Sequence, residues 1–218
     1  MIRRMRRLWR WIGVLSVVLL FATAASAALP HFAFELLGPH VARRSTAVID
    51  EPLKRVLDTA LGTAEIASVE TAMDFSLTVT DKLLHFGLEH PTSMAFTAAE
   101  REGNCIEYAN FFARVFDKAA AKAGLKARAY AVHSARAQVF GRILPLRGFG
   151  DHDWVLIQDG TGEDAQRWFV DPTMHDAGLG WDISANVRGP VSVEAKSAAK
   201  PGADAPKPAP AASRESKR

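Results

Sequence analysis

Gly103-Asn104-Cys105-Ile106-Glu107-Tyr108-Ala109 (GNCIEYA, residues 103–109) holds the only cysteine of the 218-residue chain. Behind it Ile106, Ala109, Phe112, Ala113, Val115, Phe116 and Ala119 recur at helical spacing, with Glu107, Arg114, Asp117 and Lys118 between them. That periodicity, entered through a Gly-Asn break and left at Gly124, predicts a helix over residues 104–123 with Cys105 in its first turn. Unpaired N–H groups and the dipole at a helix start favour an anion, so a thiol placed there leans towards the reactive thiolate. A lone cysteine is equally a small buried hydrophobe, and this stretch by itself leaves both readings open.

Outward from the helix, Lys126–Val132 (KARAYAV) alternates charged or small with apolar residues and predicts a strand. His152–Gln158 (HDWVLIQ) and Arg167–Val170 (RWFV) predict two more, joined through the turn Asp159-Gly160-Thr161-Gly162 as an antiparallel hairpin that ends at Asp171-Pro172. Ser134–Gly150 lies before them, an irregular connection with an apolar tip and the arginines Arg136, Arg142 and Arg147. It reads as a hairpin or crossover loop, or as a wall of a substrate site. Upstream, Val48, Leu53, Val56, Leu57 and Leu61 predict an amphipathic helix within Val41–Leu61, with Pro52 near its start. Ala64–Glu89 predicts a second helix, with Thr78-Val79-Thr80 as a plausible break. His90–Ser93 reads as a turn in which Thr92 or Ser93 caps a short helix leading to Gly103. Leu29–His40 reads as a lead-in strand or loop. Helices first, then a Cys-bearing helix packed on an antiparallel β-sheet, make the expected fold α+β.

The two ends differ from this body. Residues 1–27 combine five arginines and no acid (Met1–Arg10) with an apolar stretch, Trp11–Phe21, and small residues at Ala25-Ser26-Ala27. Those are the three parts of a secretory signal peptide, cleaved before Ala28; the alternative is an uncleaved N-terminal membrane anchor. No second long apolar run follows, so no integral membrane domain is expected after cleavage, and the protein is expected to be exported, periplasmic or secreted. Residues 196–218 are rich in Ala, Pro and Lys and read as a disordered tail, with cell-wall polymer or anionic lipid as a weaker partner reading. Between them lie an N-terminal helical region (28–89) and a core (90–195). With +5 in the leader and +4 in the tail removed from the chain's +3, residues 28–195 carry −6. The basic charge thus belongs to the ends, and no nucleic-acid partner is expected. Export also sharpens the cysteine: a single one in an oxidising compartment makes no internal disulfide and stands out as a reactive thiol.

A cysteine nucleophile needs a base for its proton and a third group that orients the base. Cys105 opens a helix, His152 opens a strand and Asp171 closes the next. If the two strands pair as a hairpin, His152 and Asp171 lie at one sheet edge, where a carboxylate fixes the imidazole tautomer and steadies imidazolium. Each has a plainer reading: His152 as a structural histidine, Asp171-Pro172 as an ordinary turn opening. His133 is a conceivable alternative base. Grouping His133, Asp153, His175 and Asp176 with His152 matches no metal motif, so neither metal nor cofactor is expected. Tyr108 and Trp154 read as core packing before substrate contact.

GNCIEYANFF (103–112), GDHDWVLIQ (150–158) and RWFVDPT (167–173), in that order, resemble the transglutaminase-like superfamily over roughly residues 90–180. The resemblance implies a papain-like Cys-helix, strand, His-strand, Asp-strand core in a small exported bacterial-type member. It implies Cys105 as nucleophile, His152 as general base and acid, Asp171 as the residue orienting His152, and the Cys105 N–H as an oxyanion donor. The implied chemistry is acyl transfer on protein or peptide amides through a thioester, resolved by water or by a cross-linking amine; for a small exported protein, hydrolysis of envelope proteins or peptides is the expected branch. The chain departs from the pattern in two places. The 134–150 connection matches no subfamily, and the extra β-domains of the large animal cross-linking enzymes are lacking; both bear on substrate. The rival class is a catalytically inactive periplasmic binding or scaffold module of the same fold.

Overall fold

The computed structural model describes residues 34–87, 91–99, 101–143, 150–162 and 164–194. The expected leader (1–27) and tail (196–218) lie outside the described residues. In chain order the elements are β1 (Phe34–Leu37), β2 (His40–Arg43), β3 (Val48–Ile49), α1 (Glu51–Thr63), α2 (Val69–Leu83), β4 (His85–Phe86), β5 (Ala95–Phe96), β6 (Glu102–Gly103), α3 (Cys105–Lys122), β7 (Arg128–Ser134), β8 (Arg136–Val139), β9 (His152–Asp159), β10 (Gln166–Val170), α4 (Pro172–Asp176), β11 (Val187–Arg188) and β12 (Val191–Val193). The fold is α+β.

Trp154-Val155-Leu156-Ile157 in β9 is wholly buried because both faces of its sheet are covered. Val155 and Ile157 point to one face, where they pack with Ala109, Phe112, Ala113 and Phe116 of α3 and Met73 and Leu77 of α2. Trp154 and Leu156 point to the other, among Leu36 of β1, Val132 of β7 and Ala137 of β8. The sheet has five strands in the order β10-β9-β7-β2-β12, and its second cover is the three-stranded sheet β11-β1-β8. α3 is enclosed in turn: Phe111 and Val115 meet Leu53 and Leu57 of α1 and Val79 of α2. A helix that buries most of its circumference, leaving Arg114 and its last turn to solvent, is a core helix, and each of its fully buried phenylalanines contributes about 1.5–3 kcal/mol.

Local signals start the helices. Asp50 caps α1 by accepting the Leu53 N–H at 2.8 Å, Ser68 and Thr71 form a capping box on α2, and Asn104 and Glu107 form one on α3. At the far end of α3 the chain turns through Gly124 at φ +70°.

Several expectations are corrected. The region before α1 is not helical. Residues 34–49 hold β1, β2 and β3, Val41 lies in β2, and Val48 lies in β3 and is exposed. These strands are two to four residues long, too short to show a period, and β1 pairs with residues 100 positions away in β8. Val56 faces solvent, leaving Leu53, Leu57 and Leu61 as the buried stripe of α1. α2 runs unbroken through Thr78-Val79-Thr80, because Val79 packs in the core with Leu53, Leu57 and Phe111, while the Ser76 and Thr80 hydroxyls are satisfied by the carbonyls of Ala72 (2.6 Å) and Ser76 (2.8 Å). Among the described residues no helix leads into Gly103; β5 and β6 occupy that stretch. The 134–150 connection contains a strand, β8, paired antiparallel with β1. The main sheet is mixed: β9 pairs antiparallel with β7 and β10, while β12 runs parallel to β2. Among the described residues no helix is long and apolar enough to cross a membrane.

Candidate active site

Cys105 is the first residue of α3 and is partly exposed. The turn before it is held from below. Glu107, 2% exposed, accepts the Asn104 N–H through Oε2 and the Ser93 N–H through Oε1, both at 2.8 Å. The Asn104 side chain accepts the Ile106 N–H at 3.0 Å and donates to Thr92 Oγ1 at 3.0 Å. Glu107 thus fastens the 92–95 segment to the start of the helix. The apolar periodicity of α3 leaves Glu107 out, yet the sequence does carry its signal: Asn-x-x-Glu is a capping-box pattern.

His152 opens β9 and Asp171 follows the last residue of β10. Those strands pair with Val155 opposite Val170, which brings the start of one beside the end of the other. His152 Nε2 donates to Asp171 Oδ2 at 2.6 Å. The Asp171 side chain is fully buried, and its Oδ1 accepts the N–H groups of Thr173 and Met174, each at 3.0 Å, capping α4. The turn-opening reading of Asp171-Pro172 therefore holds alongside the pairing with His152. With Nε2 engaged, Nδ1 is the ring nitrogen left for the Cys105 thiol, which lies within hydrogen-bonding reach of the ring. Burial alone would depress the imidazole. The charge and hydrogen bond of Asp171, and then the thiol, outweigh it and hold His152 well above the ordinary histidine value of 6.5. Phe34 meets the His152 ring edge-on, with centroids 5.5 Å apart.

A cleft of about 400 Å³ opens over Cys105 and His152. Phe34, Phe86, Ile106, Val139, Met174 and Leu179 make it mainly apolar, and Asp151, Asp153 and Asp176 add carboxylates. Ala137 and Val139 of β8 form part of its wall, so the 134–150 connection does border the cleft.

The remaining polar candidates are engaged separately. His133 Nδ1 faces Asp153 Oδ2 at 3.3 Å, so it is engaged by Asp153 rather than Asp171. His175 Nδ1 lies 2.8 Å from Asp81 Oδ2. Burial raises the Asp81 carboxyl against the pull of that imidazole. Tyr108 is buried, as expected of core packing, and its hydroxyl also donates to Asp176 Oδ2 at 2.8 Å, joining α3 to α4. Burial, reinforced by Asp176, pushes the phenol upward and keeps it a donor. Trp154 is buried and donates to Ser134 Oγ at 2.8 Å, while Ser134 Oγ lies 2.9 Å from His40 Nδ1 and His40 Nε2 lies 2.9 Å from the Arg188 carbonyl.

No family model, no curated protein and no solved structure matches this chain.

Proposed function

We propose that the protein is a thiol-dependent acyl-transfer enzyme acting on protein or peptide amides, with Cys105 as nucleophile, His152 as base and acid, and Asp171 orienting His152. The observation that carries this reading is the buried hydrogen bond from His152 to Asp171, set beside Cys105 under one apolar cleft. The resemblance to the transglutaminase-like superfamily rests on the same three residues in the same order, and that core is part of the proposal.

The chemistry follows from the positions. His152 takes the thiol proton as the sulfur attacks, and Asp171 stabilises the imidazolium that forms. The Cys105 sulfur attacks the amide carbonyl, a C–S bond forms, and the carbonyl π pair becomes an oxyanion. The Cys105 N–H, in the first turn where α3 has no partner for it, is the candidate donor to that oxygen. On collapse the C–N bond breaks and the amine leaves with the proton from His152. The enzyme is left as a thioester. Water then attacks, giving a proton to His152; the C–S bond breaks, the acid leaves and the thiol is restored. Hydrolysis is proposed over transfer to an amine because Cys105 is partly exposed and its thioester is reachable by water. Location in the cell envelope follows from the signal-like residues 1–27 and belongs to the same proposal.

The test needs no substrate. Alkylation of Cys105 by iodoacetamide is followed by intact mass from pH 4 to 10 in wild type and His152→Ala. Free thiols titrate near 8.5, whereas thiols paired with imidazolium fall to roughly 3.5–7.5. Fast labelling below neutral pH that collapses in His152→Ala is the expected result. Slow labelling unchanged by the substitution would return Cys105 to a packing role and favour the binding-module reading.

A further inference from the structure

Among the described residues six large apolar side chains stand exposed; two line the cleft and two more lie in the turn that follows its β8 wall. Phe86 and Leu179 line it. Phe140 follows the cleft-lining Val139, and Ile143 follows Arg142, which bridges to Val139 across the turn. Exposed Phe86 and Leu179 on a cleft otherwise lined by Phe34, Ile106, Val139 and Met174 mark a place where apolar matter binds.

The turn itself adds an independent observation. Val139 and Arg142 exchange backbone hydrogen bonds of 2.9 and 3.1 Å, closing a two-residue hairpin loop. Its central residues, Phe140 and Gly141, have φ of +51° and +70°. Two positive φ values define the turn type that prefers Asn-Gly, and a bulky aromatic at the first position is strained. That strain gains no core packing, because Phe140 is 68% exposed. A strained aromatic held in water beside a reaction cleft fits a side chain kept for contact with a ligand.

Charge narrows the ligand. Asp151, Asp153 and Asp176 line the cleft, and no Lys or Arg does among the described residues. Asp176 is held in place by the Tyr108 hydroxyl. The cleft volume of about 400 Å³ lies in the range that encloses a drug-sized segment. We propose that the cleft receives an extended polypeptide segment in which a large apolar residue adjoins a lysine or arginine at the amide presented to Cys105, with Phe140 gripping the apolar side chain. This rests on the acyl-transfer reading. An acidic segment would set its charge against three carboxylates, and a small polar amide would leave the aromatic rim in water.

The experiment uses acetyl-dipeptide vinyl sulfones on the purified protein. The thiolate adds to the vinyl β-carbon and the carbanion takes the imidazolium proton, so each rate reports recognition ahead of one bond-forming step. The probes carry Phe and Lys in either order, Phe and Glu, or Gly and Lys. The better Phe/Lys probe is expected to label Cys105 about tenfold faster than its Phe/Glu and Gly/Lys counterparts. Phe140→Asn restores the preferred turn residue, so it should fold at least as well as wild type. It is expected to raise Tm while cutting the Phe-over-Gly ratio severalfold. Asp151→Asn with Asp176→Asn should reduce the Lys-over-Glu ratio. Ratios within twofold of one, or a preference for Glu, overturn the proposal; if iodoacetamide labelling remains fast and His152-dependent, the acyl-transfer reading survives that loss. If iodoacetamide labelling fails instead, the acyl-transfer reading falls. Fluorescence anisotropy of Phe/Lys and Phe/Glu peptides on Cys105→Ala then decides the recognition alone, and equal binding overturns it.

Discussion

Asp171 performs two tasks with one carboxylate, and Asp171→Asn separates them. Oδ1 caps α4 through the N–H groups of Thr173 and Met174, while Oδ2 takes His152 Nε2 at 2.6 Å with no solvent exposure. Asparagine keeps an oxygen for the cap, but its amino group then faces Nε2. The ring is driven to the tautomer protonated at Nδ1, which has no lone pair for a thiol proton. Removing one partner of a buried charged pair costs about 3–5 kcal/mol, and retention of the cap puts Asp171→Asn near 3 kcal/mol. The pH dependence gives the sign. His152 is held above its ordinary 6.5 in the folded protein, so the pair's contribution is full below that value and fades as pH rises through the higher folded value. The stability gap between wild type and Asp171→Asn is therefore widest near pH 6 and shrinks towards the roughly 1 kcal/mol of a neutral hydrogen bond by pH 10. Urea unfolding at both pH values, in a Cys105→Ala background so that the thiol does not titrate, measures it. A gap that stays constant or widens on going to pH 10 would refute the reasoning.

Three further outcomes follow from the same network. Glu107→Ala removes two charge-assisted hydrogen bonds of 2.8 Å and should cost about 3 kcal/mol in urea unfolding, with severalfold slower labelling of Cys105 as the helix start loosens. Tyr108→Phe deletes the hydroxyl that ties α3 to Asp176; a loss of about 1 kcal/mol is expected, together with slower labelling by the cationic vinyl sulfone, and an unchanged labelling rate would make the tie purely structural. Burial lowers His40, against the hydrogen bond to Arg188, so the ring is neutral when folded and its contribution is present above 6.5 and lost as pH falls. His40→Gln keeps a donor and an acceptor without titrating, so wild type should lose stability relative to it between pH 7.5 and 5; an unchanged difference counts against a neutral ring.

What could be read from the sequence was local. The α3 periodicity, its Gly-Asn entry, the alternation of Lys126–Val132 and the apolar β9–β10 hairpin each lie within about twenty residues, and each element stands where its pattern pointed. The juxtaposition of His152 and Asp171 needed one inference beyond that, the hairpin register, which the observed Val155–Val170 pairing matches, and bringing in Cys105 needed a second, the packing of the start of α3 against that edge. The strands at 34–49 were out of reach for a physical reason. They carry too few residues for a period and are held by partners in β5, β7, β8, β11 and β12, far along the chain. Such pairings leave a trace in both segments jointly and in neither alone. The burial of Glu107 is not legible in the apolar periodicity, and it is tolerated because two N–H groups meet its oxygens. Phe140 carried no signal at all, since a Phe-Gly turn departs from the residues that such a turn favours.

The three side chains share a positional logic. Cys105 is the first residue of a helix, Asp171 caps another, and His152 is the first residue of a strand. Ends of elements are where backbone N–H groups lack internal partners, so a side chain placed there is oriented by hydrogen bonds that the fold already requires. At Asp171 the cap alone would be met by Ser, Thr or Asn. Only a carboxylate offers two equivalent acceptors, one for the paired N–H groups of Thr173 and Met174 and one for an imidazole on the neighbouring strand. The cap therefore accounts for a polar residue at 171, and the second oxygen, turned to His152 with no solvent to share, accounts for its being an aspartate.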